Sequence, residues 1–254
     1  MCGRFFIAQA PEIFRAFYGY PEVPNFPPRY NVAPTQPVPV VLSEAGRRQF
    51  RLVRWGLWPS WVKDPKAFPL VINARVETLG EKPTFRGALR HRRCVFLADG
   101  FYEWRREGTG KSATKTPFMI RRADNAPMAL AGVWENWLCA DGSEVDTAAI
   151  VTTGANGTMA AVHDRMPAIL APEQVEHWLD SRGVEPDAAV RLCRPCPDDW
   201  LTLDPVSPRV NNARIDEPDL IVPLASPHPG NPERGRPPAE QPRSSDEDAQ
   251  GALF

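Results

Sequence analysis

The sequence predicts an α+β fold, mainly antiparallel β, in which a barrel-like twisted sheet is joined by a few short helices. Short strand-like runs dominate the middle of the chain and are separated by Gly, Pro and Asp-Gly turns, which is typical of antiparallel sheets and barrels. Helical patterns interrupt the strands singly instead of alternating with them, which disfavours a doubly wound parallel sheet. Proline supplies 29 of the 254 residues. It breaks helix interiors and cannot donate to a ladder, so the elements should be short.

The individual elements follow from local patterns in chain order. Runs rich in β-branched and aromatic residues predict strands at 39–42, 50–57, 94–97, 101–105, 118–122, 128–137, 146–153 and 201–206. Amphipathic runs, four of which begin with proline, predict helices at 11–18, 83–90, 156–162, 172–180 and 186–192.

Composition divides the chain into a body and a tail. Residues 1–225 are predicted to form one domain, whereas residues 226–254 are polar, Pro-rich and acidic and are predicted to be disordered. The formal net charge is -1, which excludes a uniformly basic nucleic-acid coat. The sequence has no apolar run of membrane-spanning length and no signal peptide, so we expect a cytoplasmic protein. Its five cysteines are then expected to be reduced.

Charge is unevenly distributed within the body. The segment from Glu81 to Arg122 holds eleven Lys or Arg against four acids. This excess predicts a phosphate-binding face. The alternative is an ordinary solvated surface whose partners are acids elsewhere in the fold.

Cys2 is the first candidate for chemistry, because removal of Met1 would make it the N-terminal residue. An N-terminal cysteine places an α-amine and a thiol on adjacent carbons, and both groups are partly reactive near neutral pH. With an aldehyde, the amine can form a Schiff base and the thiol can then close a five-membered thiazolidine ring. With an amide, the thiol can act as an acyl-transfer nucleophile. By position alone, Cys2 could equally be a small residue that only permits removal of Met1.

Six sequence blocks, spread from Cys2 to Leu224, carry a resemblance to a known family. They are Met1-Cys2-Gly3-Arg4-Phe5, then residues 29–36 (RYNVAPTQ), 55–61 (WGLWPSW), 73–75 (NAR) with 82–86 (KPTFR), 92–104 (RRCVFLADGFYEW) and 163–167 (HDRMP). In this order they resemble the SOS response-associated peptidase (SRAP) family. The resemblance implies a protein that senses abasic sites in single-stranded DNA and crosslinks to them through an N-terminal cysteine.

The resemblance also implies an active site made of Cys2, Asn73, Glu103 and His163. Glu103 lies between two aromatic residues and could act as acid and base, although it could also pair with the arginines that follow it. His163 could protonate the sugar ring oxygen or the departing hydroxyl, or serve only as a structural hydrogen bonder. The Asn73 amide could hold the amine without adding charge, or could simply occupy a turn.

Several other residues are predicted to contact DNA. Guanidinium groups match phosphate oxygens, and aromatic rings stack on bases or wedge beside a missing one. Core packing is the alternative for the tryptophans. The predicted DNA-binding residues are Arg4, Asn31, Pro59, Trp61, Arg75, Arg86 and Trp104.

The remaining expectations concern partners and alternative functions. We expect a monomer that needs no cofactor or metal, binds single-stranded DNA containing abasic sites, does not bind membranes, and in a bacterium associates with the nucleoid when bound to DNA. A weak lyase activity and autoprocessing at Met1 are corollaries. The alternative function is an N-terminal-nucleophile amidohydrolase, since glutamine amidotransferases also begin Met-Cys-Gly. The Cys193-x-x-Cys196 pair lacks the further ligands of a zinc site.

Overall fold

The computed structural model describes residues 2–108, 113–139 and 141–224, all within one compact unit that ends at Leu224. The predicted tail, residues 226–254, lies outside the described residues, so its disorder and the boundary at 225 stay predictions. No helix among the described residues is long and apolar enough to cross a membrane.

The described strands, in chain order, are β1 (Phe5–Ile7), β2 (Arg29–Val32), β3 (Pro37–Glu44), β4 (Arg47–Trp55), β5 (Asn73–Arg75), β6 (Arg93–Ala98), β7 (Gly100–Glu107), β8 (Thr114–Arg122), β9 (Met128–Leu138), β10 (Glu144–Gly154), β11 (Arg165–Pro167), β12 (Ile169–Leu170) and β13 (Leu201–Pro205). The α-helices are α1 (Pro11–Tyr18), α2 (Pro83–His91), α3 (Gly157–Ala160), α4 (Pro172–Leu179) and α5 (Pro186–Val190). The predicted α+β class with a mainly antiparallel, barrel-like sheet is confirmed.

Five strands close into a barrel in the order β4-β3-β6-β9-β10. The pairs β3–β4, β3–β6, β6–β9 and β9–β10 are antiparallel, and a short parallel pairing between β10 and β4 completes the ring. Strand β10 also carries β5 in parallel and β11 in antiparallel register at its C-terminal end. This end of β10 therefore brings together two segments that are far apart in sequence.

The second sheet has five strands in the order β13-β8-β7-β1-β2. One face packs on the barrel through a shared core that includes Phe5, Phe101 and Ile120. The other face forms a smaller core with the C-terminal segment, to which Val210 and Leu220 contribute.

Only a residue without a side chain fits where the chain passes from the barrel into the second sheet. A Cβ atom on Gly100 would lie 2.4 Å from the Ile120 carbonyl oxygen and 2.5 Å from the Phe6 ring. The close approach lets β7 continue directly from β6 and pair with β1. The start of the chain is thereby fixed beside Glu103.

Proline explains the helix starts. It occupies the first turn of α1, α2, α4 and α5, where its missing N–H costs no hydrogen bond. Helix α1 ends at Gly19, whose left-handed conformation (φ 65°) closes the last turn.

Candidate active site and nucleic-acid interface

Cys2 lies directly before β1 and is completely buried. Its thiol points toward the Arg4 carbonyl oxygen, with Sγ 3.8 Å away. Burial and, secondarily, the negative charge of Glu103 raise the pKa of the Cys2 thiol far above its usual range. The thiol is therefore protonated at neutral pH.

Glu103 is placed beside Cys2 by the pairing of β1 with β7. The register sets Phe5 opposite Phe101, and the Tyr102 amide donates to the Arg4 carbonyl oxygen at 2.9 Å. The next residue along β7, Glu103, thus lies next to the start of the chain and is only 3% exposed. A buried carboxylate beside a protonated thiol is a ready proton acceptor.

Asn73 opens β5 and holds the backbone of the cysteine. Its Nδ2 donates to the Cys2 carbonyl oxygen at 2.9 Å. The parallel register of β5 with β10, which sets Asn73 opposite Ile150, fixes the amide in place. Asn73 therefore contacts the Cys2 carbonyl oxygen, and its predicted contact with the amine and the sugar oxygen stays a prediction.

His163 precedes β11 and has a side chain that is 27% exposed. Its Nδ1 accepts a hydrogen bond from the Arg165 amide at 2.9 Å and lies 2.8 Å from Asp164 Oδ1. An Nδ1 that accepts from an amide carries no proton, so the neutral ring has its proton on Nε2. When the ring is protonated, Nδ1 can instead donate to Asp164.

An open cleft of about 520 Å³ brings Glu103 and His163 together. It is lined by Glu103, Trp104, Arg106, Lys115, His163 and Asn211. Two of the four predicted catalytic residues thus face one cleft. The other two, Cys2 and Asn73, lie behind Glu103: Cys2 is its neighbour, and Asn73 donates to the Cys2 carbonyl oxygen.

Two predicted DNA-binding residues, Arg4 and Asn31, are used to anchor a C-terminal strap, defined as residues 208–216. Asn31 is fully buried and donates to the carbonyl oxygens of Val210 and Ile215 at 3.3 and 2.8 Å. Arg4 donates to Asn31 Oδ1 at 2.7 Å and to the Val210 carbonyl oxygen at 2.8 Å. Burial of Asn31 argues for a positioning role, and a DNA contact by either residue stays a prediction.

The strap also reaches the cleft. Asn211 Oδ1 accepts a hydrogen bond from Trp104 Nε1 at 2.6 Å. The indole N–H can only donate, so the Asn211 oxygen must face it and the amide NH₂ must point away. The strap therefore fixes the orientation of the Trp104 ring beside Glu103.

The other predicted DNA-binding residues differ in accessibility. Arg75 and Arg86 are exposed. Trp61 is 57% exposed, with its ring 5.7 Å from that of Phe68, whereas Pro59 is buried. Stacking on bases is thus available to Trp61, and a DNA contact by the buried Pro59 stays a prediction.

The basic segment does not form one continuous face. Ion pairs join Arg92 to Glu135, Arg105 to Glu107, Arg121 to Asp204 and Arg122 to Asp124. Arg93 is buried and donates to two backbone carbonyl oxygens. These five cations are therefore held within the fold, and phosphate binding stays a prediction for the other cations of the segment.

Sequence reasoning missed two residues that organise the site. One is Asn211, more than a hundred positions from its partner Trp104. The other is Arg165, which donates to both carboxylate oxygens of Glu77 and to the Thr152 carbonyl oxygen. Arg165 stood within a recognised block, but its partner is set by the pairing of β5 and β11 with β10, which no local pattern encodes.

The other thiols are remote from this chemistry. Cys94 and Cys193 are buried, and burial raises the pKa of both far above the usual range. Burial also raises the pKa of Cys196 to about 11. Among the residues that the structure describes, no three His, Cys, Asp or Glu side chains cluster closely enough to hold a metal ion.

Fold and site together define a class of protein: a two-sheet β structure that buries a cysteine near its first strand beside a carboxylate, and this carboxylate lines an open cleft together with an imidazole. The family model of the SOS response associated peptidase (SRAP) matches residues 1–213, and the chain belongs to this family.

Curated relatives and solved structures agree with this assignment. Abasic site processing protein YoqW of Bacillus subtilis is 38% identical over 87% of this chain and 99% of its own length. Abasic site processing protein HMCES of Xenopus tropicalis is 32% identical over 87% of this chain and 78% of its own length. A crystal structure of a Bacteroides thetaiotaomicron protein superposes with a TM-score of 0.78 at 25% identity, covering 88% of this chain and all of the other.

Proposed function

We propose that this protein senses abasic sites in single-stranded DNA and forms a covalent thiazolidine crosslink with them through Cys2, after removal of Met1. One observation carries the proposal: Cys2 is held by Asn73 and lies beside Glu103, which lines an open cleft together with His163. The names of the relatives, abasic site processing proteins, support the same substrate.

The reaction begins at the α-amine, which hydrolytic removal of Met1 makes available. The abasic sugar is a hemiacetal in equilibrium with an open-chain aldehyde. As the ring opens, the protonated imidazole of His163 gives its Nε2 proton to the ring oxygen, and the C1 hydroxyl passes its own proton to the Glu103 carboxylate as it becomes the aldehyde. The amine nitrogen then attacks the aldehyde carbon. Loss of one water gives the Schiff base, with Glu103 moving the proton from nitrogen to the departing hydroxyl.

Ring closure completes the crosslink. Sγ forms a bond to the imine carbon, and the thiol proton passes to the ring nitrogen by way of the Glu103 carboxylate. The net reaction is an aldehyde plus an aminothiol giving a thiazolidine and water, with no oxidant or reductant. The closed ring no longer carries the imine from which β-elimination proceeds, so the crosslink shields the lesion from strand breakage.

Two further activities follow from the same groups. A Schiff base that does not close can lose the proton α to the imine carbon and release the 3′ phosphate, which is a weak lyase activity. Removal of Met1 by the protein itself is the autopeptidase activity that the family name suggests. The intact mass of purified protein, wild type against Glu103→Gln, tests whether Met1 is absent and whether its removal needs this site.

The crosslink is tested by incubating the protein with a single-stranded oligonucleotide that carries one abasic site. We expect a heat-stable adduct whose mass equals protein plus DNA minus one water. Cys2→Ala should abolish it, whereas Cys139→Ala, which removes a partly exposed thiol elsewhere, should leave it unchanged. Glu103→Gln and His163→Ala should slow it. Glutamine hydrolysis without any adduct would favour an amidohydrolase instead.

A further inference from the structure

Two cations face each other across the β7–β8 hairpin at the mouth of the cleft. The register sets Arg106 directly opposite Lys115, and both side chains are exposed and line the cleft. Directly opposed residues of an antiparallel pair have Cβ atoms about 4.5–5.5 Å apart. The two positive charges are therefore near neighbours on one face of the sheet.

This arrangement is electrostatically unfavourable in the protein alone, because like charges directly opposite each other destabilise a strand pair. The adjacent Arg105 is neutralised by Glu107 at 2.7 Å. By contrast, neither Arg106 nor Lys115 forms an ion pair within the residues described. An anion placed between them would offset the repulsion.

Trp104 indicates which anion fits. It is two positions before Arg106 on β7, so the two side chains share a face about 7 Å apart along the strand. Asn211 fixes the indole ring from the other side. A fixed aromatic ring next to unpaired cations is the arrangement by which proteins hold single-stranded nucleic acid, with a base on the ring and its phosphate on the cations.

We propose that Arg106 and Lys115 together bind one backbone phosphate of the DNA strand in the cleft, next to a base stacked on Trp104. The proposal rests on the proposed function, since it assumes that DNA occupies this cleft. The proposal assigns two cations of the segment from Glu81 to Arg122 to a single phosphate contact on the second sheet, in place of a continuous basic face.

The test measures binding without chemistry. The oligonucleotide carries a tetrahydrofuran residue, which lacks the aldehyde and cannot crosslink, and affinity is followed by fluorescence anisotropy over a range of salt concentrations. The variant is Arg106→Gln with Lys115→Gln. The control, Arg191→Gln with Arg194→Gln, removes two exposed cations that do not line the cleft.

We expect the cleft variant to bind on the order of tenfold more weakly at low salt. The slope of log K against log salt should fall by about 0.7, the value for one phosphate contact on a single strand. The control should keep the wild-type slope. Equal slopes for wild type and cleft variant would overturn the proposal.

Neutral linkages locate the phosphate. In a series of oligonucleotides with one methylphosphonate each, wild type should lose affinity sharply at one linkage near the lesion, and the cleft variant should lose nothing further there. If the loss of affinity from the neutral linkage and the loss from the double substitution add up at every position, the proposal is contradicted. A wild type that shows the phosphate signature but never crosslinks aldehyde DNA would refute the covalent function and leave the phosphate site standing.

Folding is checked independently. Removing two opposed positive charges should leave the melting temperature of the DNA-free protein at low salt equal to or above that of wild type. A lower melting temperature would show that the two side chains stabilise the hairpin, which contradicts the premise of repulsion.

Discussion

The thiol and the α-amine of Cys2 differ in protonation at neutral pH. Burial and the charge of Glu103 raise the thiol pKa, so sulfur stays protonated at neutral pH. An N-terminal amine titrates near pH 7.7–8.0 and is partly uncharged under the same conditions. In the proposed reaction the amine is therefore the first nucleophile, and the thiol loses its proton only as the ring closes.

This order predicts the behaviour of Cys2→Ser. The variant keeps the amine, so it should form a Schiff base that borohydride traps, but no heat-stable adduct without reductant. Its trapping rate and the wild-type adduct rate should rise together with pH through the amine titration, because neither depends on free thiolate. Gel analysis of both reactions from pH 6 to 9 measures this. If the wild-type adduct rate keeps rising at pH values where the trapping rate of Cys2→Ser has levelled off, the thiolate attacks first.

Asn211 supports a second prediction for a single residue. Asn211→Ala removes the acceptor of the Trp104 N–H, which should cost about 0.5–1.5 kcal/mol of stability and weaken DNA binding, because the ring is no longer fixed. Asn211→Asp keeps the acceptor and adds a negative charge to the cleft. It should therefore preserve the melting temperature yet also weaken binding. Calorimetry measures the stability and anisotropy the binding, and equal melting temperatures of the two variants would contradict the prediction.

For the elements, the sequence predicts the long ones and misses the short ones. Proline in the first turn fixes the helix starts, and α1 is predicted with its observed bounds, Pro11–Tyr18. The predicted helix at 156–162 shrinks to Gly157–Ala160, because an Asn156 cap is followed by only one turn. Strands β1, β2, β5, β11 and β12 are not predicted, since two to four residues are too few to show a period.

The missed strands matter because two of them position the site. Strand β1 carries Cys2 to Glu103, and β5 carries Asn73 to Cys2. The catalytic residue types were recognisable from the sequence blocks that resemble the family. Their convergence depends on the pairing of β5 and β11 with one end of β10, which is a long-range property of the barrel.

The paired hydrogen bonds from Arg165 to Glu77, called here the clasp, allow this pairing to be tested by substitution. It joins the residues that follow β5 to β11, and so fixes Asn73 relative to His163. Glu77→Gln should lower stability by up to about 1 kcal/mol, since the carboxylate is half exposed and screened by solvent. It should also slow adduct formation. A double-mutant cycle with Arg165→Lys should show coupling, and strictly additive losses would argue against the clasp.

The clasp has a defined pH dependence. Arg165 lowers the pKa of Glu77 below its usual range. A carboxyl with a depressed folded-state pKa stabilises the fold above its unfolded-state pKa, about 4.3 for Glu. That contribution is lost as the pH falls through the folded-state value. The melting temperatures of wild type and Glu77→Gln should therefore differ at neutral pH and converge as the pH falls below the lowered folded-state pKa of Glu77.

For the whole molecule, near-neutral charge conceals an uneven distribution. Five of the eleven cations in the segment from Glu81 to Arg122 are held within the fold by carboxylates or backbone carbonyl oxygens. Arg86, Arg106 and Lys115 of the segment, and Arg75 before it, are exposed. Binding should therefore be modest and salt-sensitive, because few phosphates are contacted. The covalent bond then supplies the permanence that charge does not.

Removing the predicted tail tests whether it takes part in the fold or in the reaction. Residues 226–254 follow both the family match, which ends at residue 213, and the compact unit, which ends at Leu224. Ending the chain after Ala225 removes five acids and three arginines. We expect an unchanged melting temperature and an unchanged adduct rate at 0.15 M salt, where the Debye length is about 8 Å. At low salt the adduct should form slightly faster, because the net charge rises from -1 to +1. A lower melting temperature, or a slower adduct at every salt concentration, would place part of the tail in the fold or the site.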